Sequence, residues 1–341
     1  MEVPQGYKSK AQCVRLLGSL YGLKQAPSVW HQTIESHLID EMKFKKIKST
    51  SCLYIKRNDH GRFVMIALYV DDISLAGHSE MIEATKAMLK ERFQMKDLGP
   101  ITQVVGIEVH HNPKQGDMFL CQKKYIESML RMNGMENCST EPTPLPFGSK
   151  LTMTPPGQKD RIQLDYRKAV GQLLHLLSTR PDIAYAVGEV SRFVDNPSHL
   201  HELAVKRIFR YLKGTMNYGI RFTRRSDNKG PTELTAYSDS DWAGDPETRR
   251  STTGYVTMIN NGPVSFRSRR QRSIAKSACE AEVMAASEAT SDIVSLRNIL
   301  SELGFPQEAP TILNQDNQGA ITFAKGQVKH SRMKHIDLHD R

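Results

Sequence analysis

Along the first part of the chain the apolar positions change period. Trp30, Ile34, Leu38 and Met42 recur every four residues, the spacing of one helical face, whereas FVMIALYV (63–70) and ISLA (73–76) are unbroken apolar runs of strand length. Only Asp71 and Asp72 separate those two runs, so the pattern predicts a tight β-hairpin with two adjacent carboxylates at its tip. A helix is expected after Ser79, through Ile82, Thr85, Leu89 and Phe93. It is followed by a strand over VVGIEVH (104–110) and a helix through Ile126, Met129 and Leu130 that stops near Gly134.

From 138 to 160 the pattern lapses into Pro, Gly, Ser and Thr, a composition that builds neither a helix nor an apolar face and reads as a linker. Beyond it, Leu173, Leu174, Leu176 and Leu177 predict one helix. Leu200, Ala204, Ile208, Tyr211 and Leu212 predict an amphipathic second, with Lys206, Arg207 and Arg210 on or beside its polar face as candidate nucleic-acid contacts. Strands return at LTAYSDSDW (234–242), GYVTMI (254–259) and PVSFRS (263–268). An alanine-rich helix from about Ser277 to Leu303, a strand TILNQ (311–315) and a helix from Asn317 complete the order. The expected fold class is multidomain, α/β and α+β.

Size and charge sharpen this picture. A chain of 341 residues is too long for one ordinary core. Lys plus Arg number 47 against 37 Asp plus Glu, a formal charge of +10 that favours a polyanionic partner through counterion release. The five cysteines are scattered without a C-x-x-C pair, which argues against a disulfide framework or a zinc motif and for a reducing compartment. No apolar run approaches the roughly 18 residues of a membrane span, and the opening residues carry no secretory stretch. An intracellular protein, cytoplasmic or nuclear and not secreted, is expected.

Four acids fall where they can converge: Asp239 in a strand, Glu282 in the long helix, Asp316 at a strand end, and Asp337. Carboxylates that meet from distant parts of a chain make sense if they share divalent cations, which activate water and stabilise a leaving oxygen. Taken singly, each has an ordinary reading as a strand-end charge, a helix cap or a solvated helix residue. Glu280 and Glu282 lie about 200° apart on a helix, so only one can face such a site. Glu282 shares its side with Ala278, Ala285 and Ala286, small residues that allow close approach to a sheet, and is the one selected. Asp71 and Asp72 as a bare pair read equally well as turn residues. His330, His335 and His339 suggest zinc but lack a companion thiolate, and are read as a surface segment.

Longer blocks in fixed order decide between these readings. LYGLKQAPSVW (20–30), LYVDDISLAG (68–77), MKDLGPITQVVGIEV (95–109), YRKAVGQLLHLLSTRPDIAYAV (166–187) and KRIFRYLKGTMNYGIRF (206–222) resemble the polymerase and connection regions of copia-type (pseudovirid) LTR retrotransposon Pol polyproteins. AYSDSDWAGDPETRRSTTGYV (236–256), EAEVMAASEA (280–289), QDNQGAI (315–321) and KHSRMKHID (329–337) extend the likeness over essentially the whole chain. The resemblance implies a partial reverse transcriptase over 1–137 (right-hand palm and start of the thumb), a linker over 138–160, and a helical thumb or connection region over 161–230. A ribonuclease H-like mixed-sheet domain, cut at its C-terminal end, is implied over 231–341.

It further implies RNA-directed DNA polymerase and RNA–DNA hybrid ribonuclease H activities, with RNA template, DNA primer, hybrid and the rest of the parent polyprotein as partners and Mg²⁺ or Mn²⁺ as cofactor. By the same resemblance Asp71 and Asp72 are the polymerase metal pair, and Asp239, Glu282, Asp316 and Asp337 the ribonuclease H ligands. Gln25, Ala26 and Pro27 border nucleotide and template, and Met95 to Gly99 the primer terminus. The family carries a third polymerase Asp that no residue here matches, and Lys276 and Val283 replace an apolar residue and a Tyr. The polymerase is therefore expected to be inactive in this chain and the ribonuclease H the part able to act. The alternative is a non-catalytic remnant that only binds nucleic acid.

Overall fold

In a computed structural model, residues 15, 20, 22–112, 114–155, 157–158, 160–224 and 233–326 are described. The chain divides into two compact units, Met1–Gly99 and Pro100–Arg341. In the first, α1 (Ala26–Ser36) carries Pro27 in its first turn, where the missing N–H has no intrahelical partner to lose, and runs into a π-helical turn, His37–Glu41. Ile34, Leu38 and Met42 are fully buried, each worth about 1.5–3 kcal/mol relative to exposure. They pack on an antiparallel sheet of β1 (Lys45–Lys46), β2 (Leu53–Arg57), β3 (Phe63–Tyr69) and β4 (Asp72–Gly77), in that order. Along β3, Val64, Ile66 and Leu68 alternate inward, and α2 (Ser79–Arg92) adds Thr85 and Leu89 to the same core side.

The hairpin differs from expectation by one residue. Tyr69 pairs with Asp72, so the turn is Val70–Asp71 and Asp72 opens β4. Val70 sits at φ 52°, a conformation that β-branched residues rarely adopt. Its strand preference is overridden by a tertiary contact: the Trp30 indole N–H donates to the Val70 carbonyl at 2.8 Å, and Trp30 is held edge-on against Phe93.

The second unit contains two sheets and a helical core. β5 (Gln103–Val104), β6 (Ile107–Asn112), β7 (Asp117–Cys121) and β8 (Gly219–Phe222) form one antiparallel sheet. The single strand expected over 104–110 is thus a hairpin, because Val105 (φ 48°) and Gly106 (φ 79°) take the two positive-φ positions of a type I′-like turn. Helices α3 (Lys123–Met132), α4 (Tyr166–Leu176), α5 (Ala184–Ser191) and α6 (His199–Gly214) enclose a core that includes Ile126, Leu173, Val187, Ile208 and Phe209. Leu174 and Leu200, expected inside, are 49% and 67% exposed. The first turn of α6 instead buries His201 and Glu202, whose polar atoms are satisfied within the fold.

The Pro-rich segment has no helix or strand among its described residues, yet it packs. Leu145 and Leu151 lie on the helical core, and Glu141 pairs with Arg207 at 2.8 Å and Arg210 at 2.9 Å.

The last sheet runs β11-β10-β9-β12. β9 (Leu234–Ser240), β10 (Thr252–Ile259) and β11 (Gly262–Arg270) are antiparallel, whereas β12 (Ile312–Asn314) is parallel to β9. α7 (Ala278–Glu302) lies on β9 and β10 through Ala281, Ala285 and Ala289, all fully buried, and α8 (Gln318–Ala324) seats Ala320 against Val283. Of the alanines expected to face the sheet, Ala285 does; Ala278 is exposed and Ala286 half-buried, because the buried stripe follows the four-residue repeat 281–285–289.

Candidate active site

The site is built where β9, α7 and the segment after β12 meet. Asp239 stands near the end of β9, opposite Gly254 of β10. Because β12 runs parallel to β9, its continuation through Gln315 delivers Asp316 to the same end of the sheet. Glu282 comes from the first turns of α7, whose start is fixed by the Ser277 hydroxyl accepting the Glu280 N–H. One carboxylate oxygen from each of Asp239, Glu282 and Asp316 lies within 4.8 Å of the other two.

Glu280 turns away, its carboxylate accepting the Lys276 N–H at 2.8 Å. The fourth sequence-predicted acid, Asp337, and His330, His335 and His339 lie outside the described residues. Asp241, two residues beyond Asp239, accepts the Thr252 N–H and packs so closely that a Cβ on Gly244 would meet its Oδ2 at 1.8 Å, making it a structural clamp.

Asp239 and Asp316 are exposed, whereas Glu282 is buried at 6%. Burial pushes the Glu282 pKa up. The Gln315 amide pulls against that rise, and the negative charge of Asp239 adds to it. Asp239 and Asp316, which both add to that rise, are themselves acids, and clustered carboxylates are the oxygen donors that hard cations prefer. Gln315 organises the group: its Nε2 donates to Glu282 Oε2 at 2.9 Å and to Ser238 Oγ at 3.3 Å, while its Oε1 accepts the Asp316 N–H at 2.8 Å. Sequence reasoning quoted Gln315 within a block but gave it no role; an amide directly before a strand-end acid was the available signal.

Asp239, Gln315 and Asp316 lie on the wall of a cleft of about 750 Å³ whose other walls include Tyr185, Tyr237, Tyr255, Phe266 and Arg267. Such a cleft, aromatic with a few polar groups, suits a flat or sugar-bearing ligand.

The hairpin pair is different in kind. Asp71 and Asp72 are both exposed, and among the described residues no third acid, His or Cys joins them in a metal-sized group. Gln25 precedes α1 as its cap residue with no side-chain capping bond. The three basic residues expected to contact nucleic acid are engaged within the chain. Lys206 pairs with Glu202 at 2.8 Å, and Arg207 and Arg210 clamp Glu141, with Arg210 also donating to the Ser139 carbonyl at 3.1 Å. The two arginines fasten the 139–143 segment to α6 through partners more than 60 residues away along the chain, whereas Lys206 is paired within α6 itself.

Residues 1–146 match the family model described as reverse transcriptase (RNA-dependent DNA polymerase). The chain is 38% identical over 99% of its length to the retrovirus-related Pol polyprotein from transposon TNT 1-94 of Nicotiana tabacum. It is 35% identical over 99% to that from transposon RE1 of Arabidopsis thaliana. It is also 32% identical, over 82% of its length and 89% of the relative's, to a putative transposon Ty5-1 protein of Saccharomyces cerevisiae. The chain belongs to the copia-type retrotransposon Pol family. This Pol chain spans about a quarter of the length of the TNT 1-94 and RE1 polyproteins, whose 26% and 23% it covers. No helix among its described residues is long and apolar enough to cross a membrane.

Proposed function

We propose that the second unit hydrolyses the RNA strand of RNA–DNA hybrids, with Asp239, Glu282 and Asp316, joined by Asp337, as ligands for Mg²⁺ or Mn²⁺. The observation that carries this reading is the convergence of three carboxylates from a strand, a helix and a parallel-strand end to within 4.8 Å. An antiparallel three-strand sheet extended by a parallel strand, with a helix across it, supports a ribonuclease H-like domain for these residues. Two bound cations would supply the activation of a water and the neutralisation of the leaving oxygen.

The chain's own contribution is placement. Gln315 fixes Glu282 and the Asp316 backbone together, so the ligands are pre-oriented before substrate arrives. Asp239 and Asp316 line the cleft together with Tyr185 and Tyr237, whose side chains are of the kind that stack on bases and sugars. Asp71 and Asp72 are proposed as the metal pair of the reverse transcriptase part. With no further acid beside them among the described residues, the pair alone gives too little charge stabilisation for phosphoryl transfer.

The test is cleavage of a hybrid labelled on its RNA strand. Asp316→Asn keeps the shape and removes a charged ligand, so Mg²⁺- or Mn²⁺-dependent cleavage should fall by about 10²-fold or more while hybrid binding persists. Cleavage indifferent to chelator or to Asp316→Asn places the chemistry elsewhere.

A further inference from the structure

A second group of metal-binding side chains lies in the β5–β8 sheet, far along the chain from the carboxylate cluster. Glu108 and His110 are two residues apart on β6, so the strand's alternation puts them on one face. Cys121 of β7 is the direct cross-strand partner of Glu108 and so shares that face. One donor atom from each of the three lies within 4.8 Å of the others, and Cys121 Sγ is 3.6 Å from His110 Nε2. Zinc bonds of about 2.3 Å to sulfur and 2.0–2.1 Å to nitrogen, set at a tetrahedral angle, place those two atoms about 3.6 Å apart.

From this geometry we propose that Glu108, His110 and Cys121 form a zinc-binding site. The donor set is oxygen, nitrogen and sulfur, which favours Zn²⁺ over Mg²⁺, the reverse of the all-carboxylate group around Glu282. Cys121 is 4% exposed and forms the floor, whereas His110 is exposed, so an ion enters from solvent and keeps a water as its fourth ligand. Glu108 is anchored from behind: its Oε1 accepts the Lys124 N–H at 2.8 Å, leaving the other oxygen for the metal. Coordination converts the Cys121 thiol to thiolate and releases its proton to solvent. No C-x-x-C spacing announces the site, because strand pairing rather than sequence neighbourhood brings Cys121 to Glu108 and His110.

The competing account is an S–H···N hydrogen bond beside a helix cap, and Co²⁺ distinguishes the two. The full chain, freed of metal and held in excess Mg²⁺ to occupy the hard carboxylate group, is titrated with Co²⁺. The site should give a thiolate-to-cobalt charge-transfer band and intense tetrahedral visible bands, both bleached by Zn²⁺. Cys121→Ser should abolish the charge-transfer band, and His110→Ala or Glu108→Gln should weaken Co²⁺ binding about 10–100-fold. A weak octahedral spectrum from the wild type overturns the site, as does a charge-transfer band that persists in Cys121→Ser. If Cys121→Ser loses its circular-dichroism signature, the two β6 variants decide alone: unchanged Co²⁺ affinity in both overturns it.

Discussion

Replacing Arg180 with Met should destabilise the second unit strongly, and by a mechanism that pH exposes. Arg180 is 1% exposed, and its Nε and Nη2 grip Asp182 at 2.8 and 2.6 Å. Nη1 and Nη2 also donate to the carbonyl and hydroxyl of Thr215 at 3.0 and 2.7 Å, and the guanidinium lies over the rings of Tyr211 and Tyr218. Methionine fills a similar volume, so the loss is polar: Asp182 keeps the Tyr211 hydroxyl, at 2.7 Å, and its own backbone N–H, but loses the charged grip of Arg180. Breaking a fully buried pair costs about 3–5 kcal/mol; Asp182 is 32% exposed and water relieves part of this, leaving roughly 2–4 kcal/mol. For a unit of this size that is a fall of roughly 5–12 °C in Tm.

Burial works against the Asp182 charge, but Arg180 outweighs it and holds the carboxyl below its ordinary value. A depressed folded pKa contributes stability that is present above the unfolded value and lost as pH falls through the folded one. In Arg180→Met burial, the largest influence on Asp182, is opposed only by hydrogen bonds from Tyr211 and the backbone. The stabilisation that the Arg180 pair gives the carboxylate is lost, and the deficit should shrink as pH drops towards and below the ordinary carboxylate value of about 4 and Asp182 protonates. Thermal melts at neutral and acid pH, with Arg180→Met/Asp182→Asn recovering part of the loss, measure this. A single variant melting within about 2 °C of wild type at pH 7, or a deficit that grows in acid, refutes the reasoning.

His201 should set a milder acid transition. Its Nδ1 accepts the Ser198 N–H at 2.8 Å and its Nε2 donates to the Thr152 carbonyl at 2.9 Å, a pairing only the neutral ring makes, and burial lowers its pKa against the pull of that carbonyl. A base with a lowered folded pKa contributes stability above its unfolded value of about 6.5 and loses it as pH falls below that value, so Tm should drop between about pH 7 and 5, before carboxylates titrate; His201→Gln should flatten that slope. The net charge of +10 should give hybrid binding that weakens steeply with salt in a filter or anisotropy assay, and Lys206→Ala should leave the slope nearly unchanged because its partner is Glu202. Primer extension by this chain on an RNA template, followed on a gel, should be undetectable; extension that disappears in Asp71→Asn refutes that expectation.

Much of the architecture was legible in the residues. The four-residue apolar repeat through Ile34, Leu38 and Met42, the strand runs of β3 and β4, and the β9–β10–β11–α7–β12–α8 order follow local periodicity, which backbone geometry imposes on any chain that buries one face. The choice of Glu282 over Glu280 came from helical spacing together with the alanines on its side, of which Ala285 alone is buried against the sheet, and the structure places Glu282, not Glu280, beside Asp239 and Asp316. Hairpin detail was less accessible. Val70 and Val105 carry strand-forming side chains but sit in positive-φ turns, Val105 beside the permissive Gly106 and Val70 under the Trp30 hydrogen bond.

What the sequence alone determined is therefore the set of elements, their order, and the kind of chemistry that clustered acids can support. Only the tertiary structure decided which side chains meet. Gln315 is bound to Glu282 33 residues away, Arg207 and Arg210 are paired with Glu141, and Cys121 stands against Glu108 and His110. Each of these depends on strand register or helix packing, where contact is set by three-dimensional distance and a residue's neighbours along the chain carry no record of its partners.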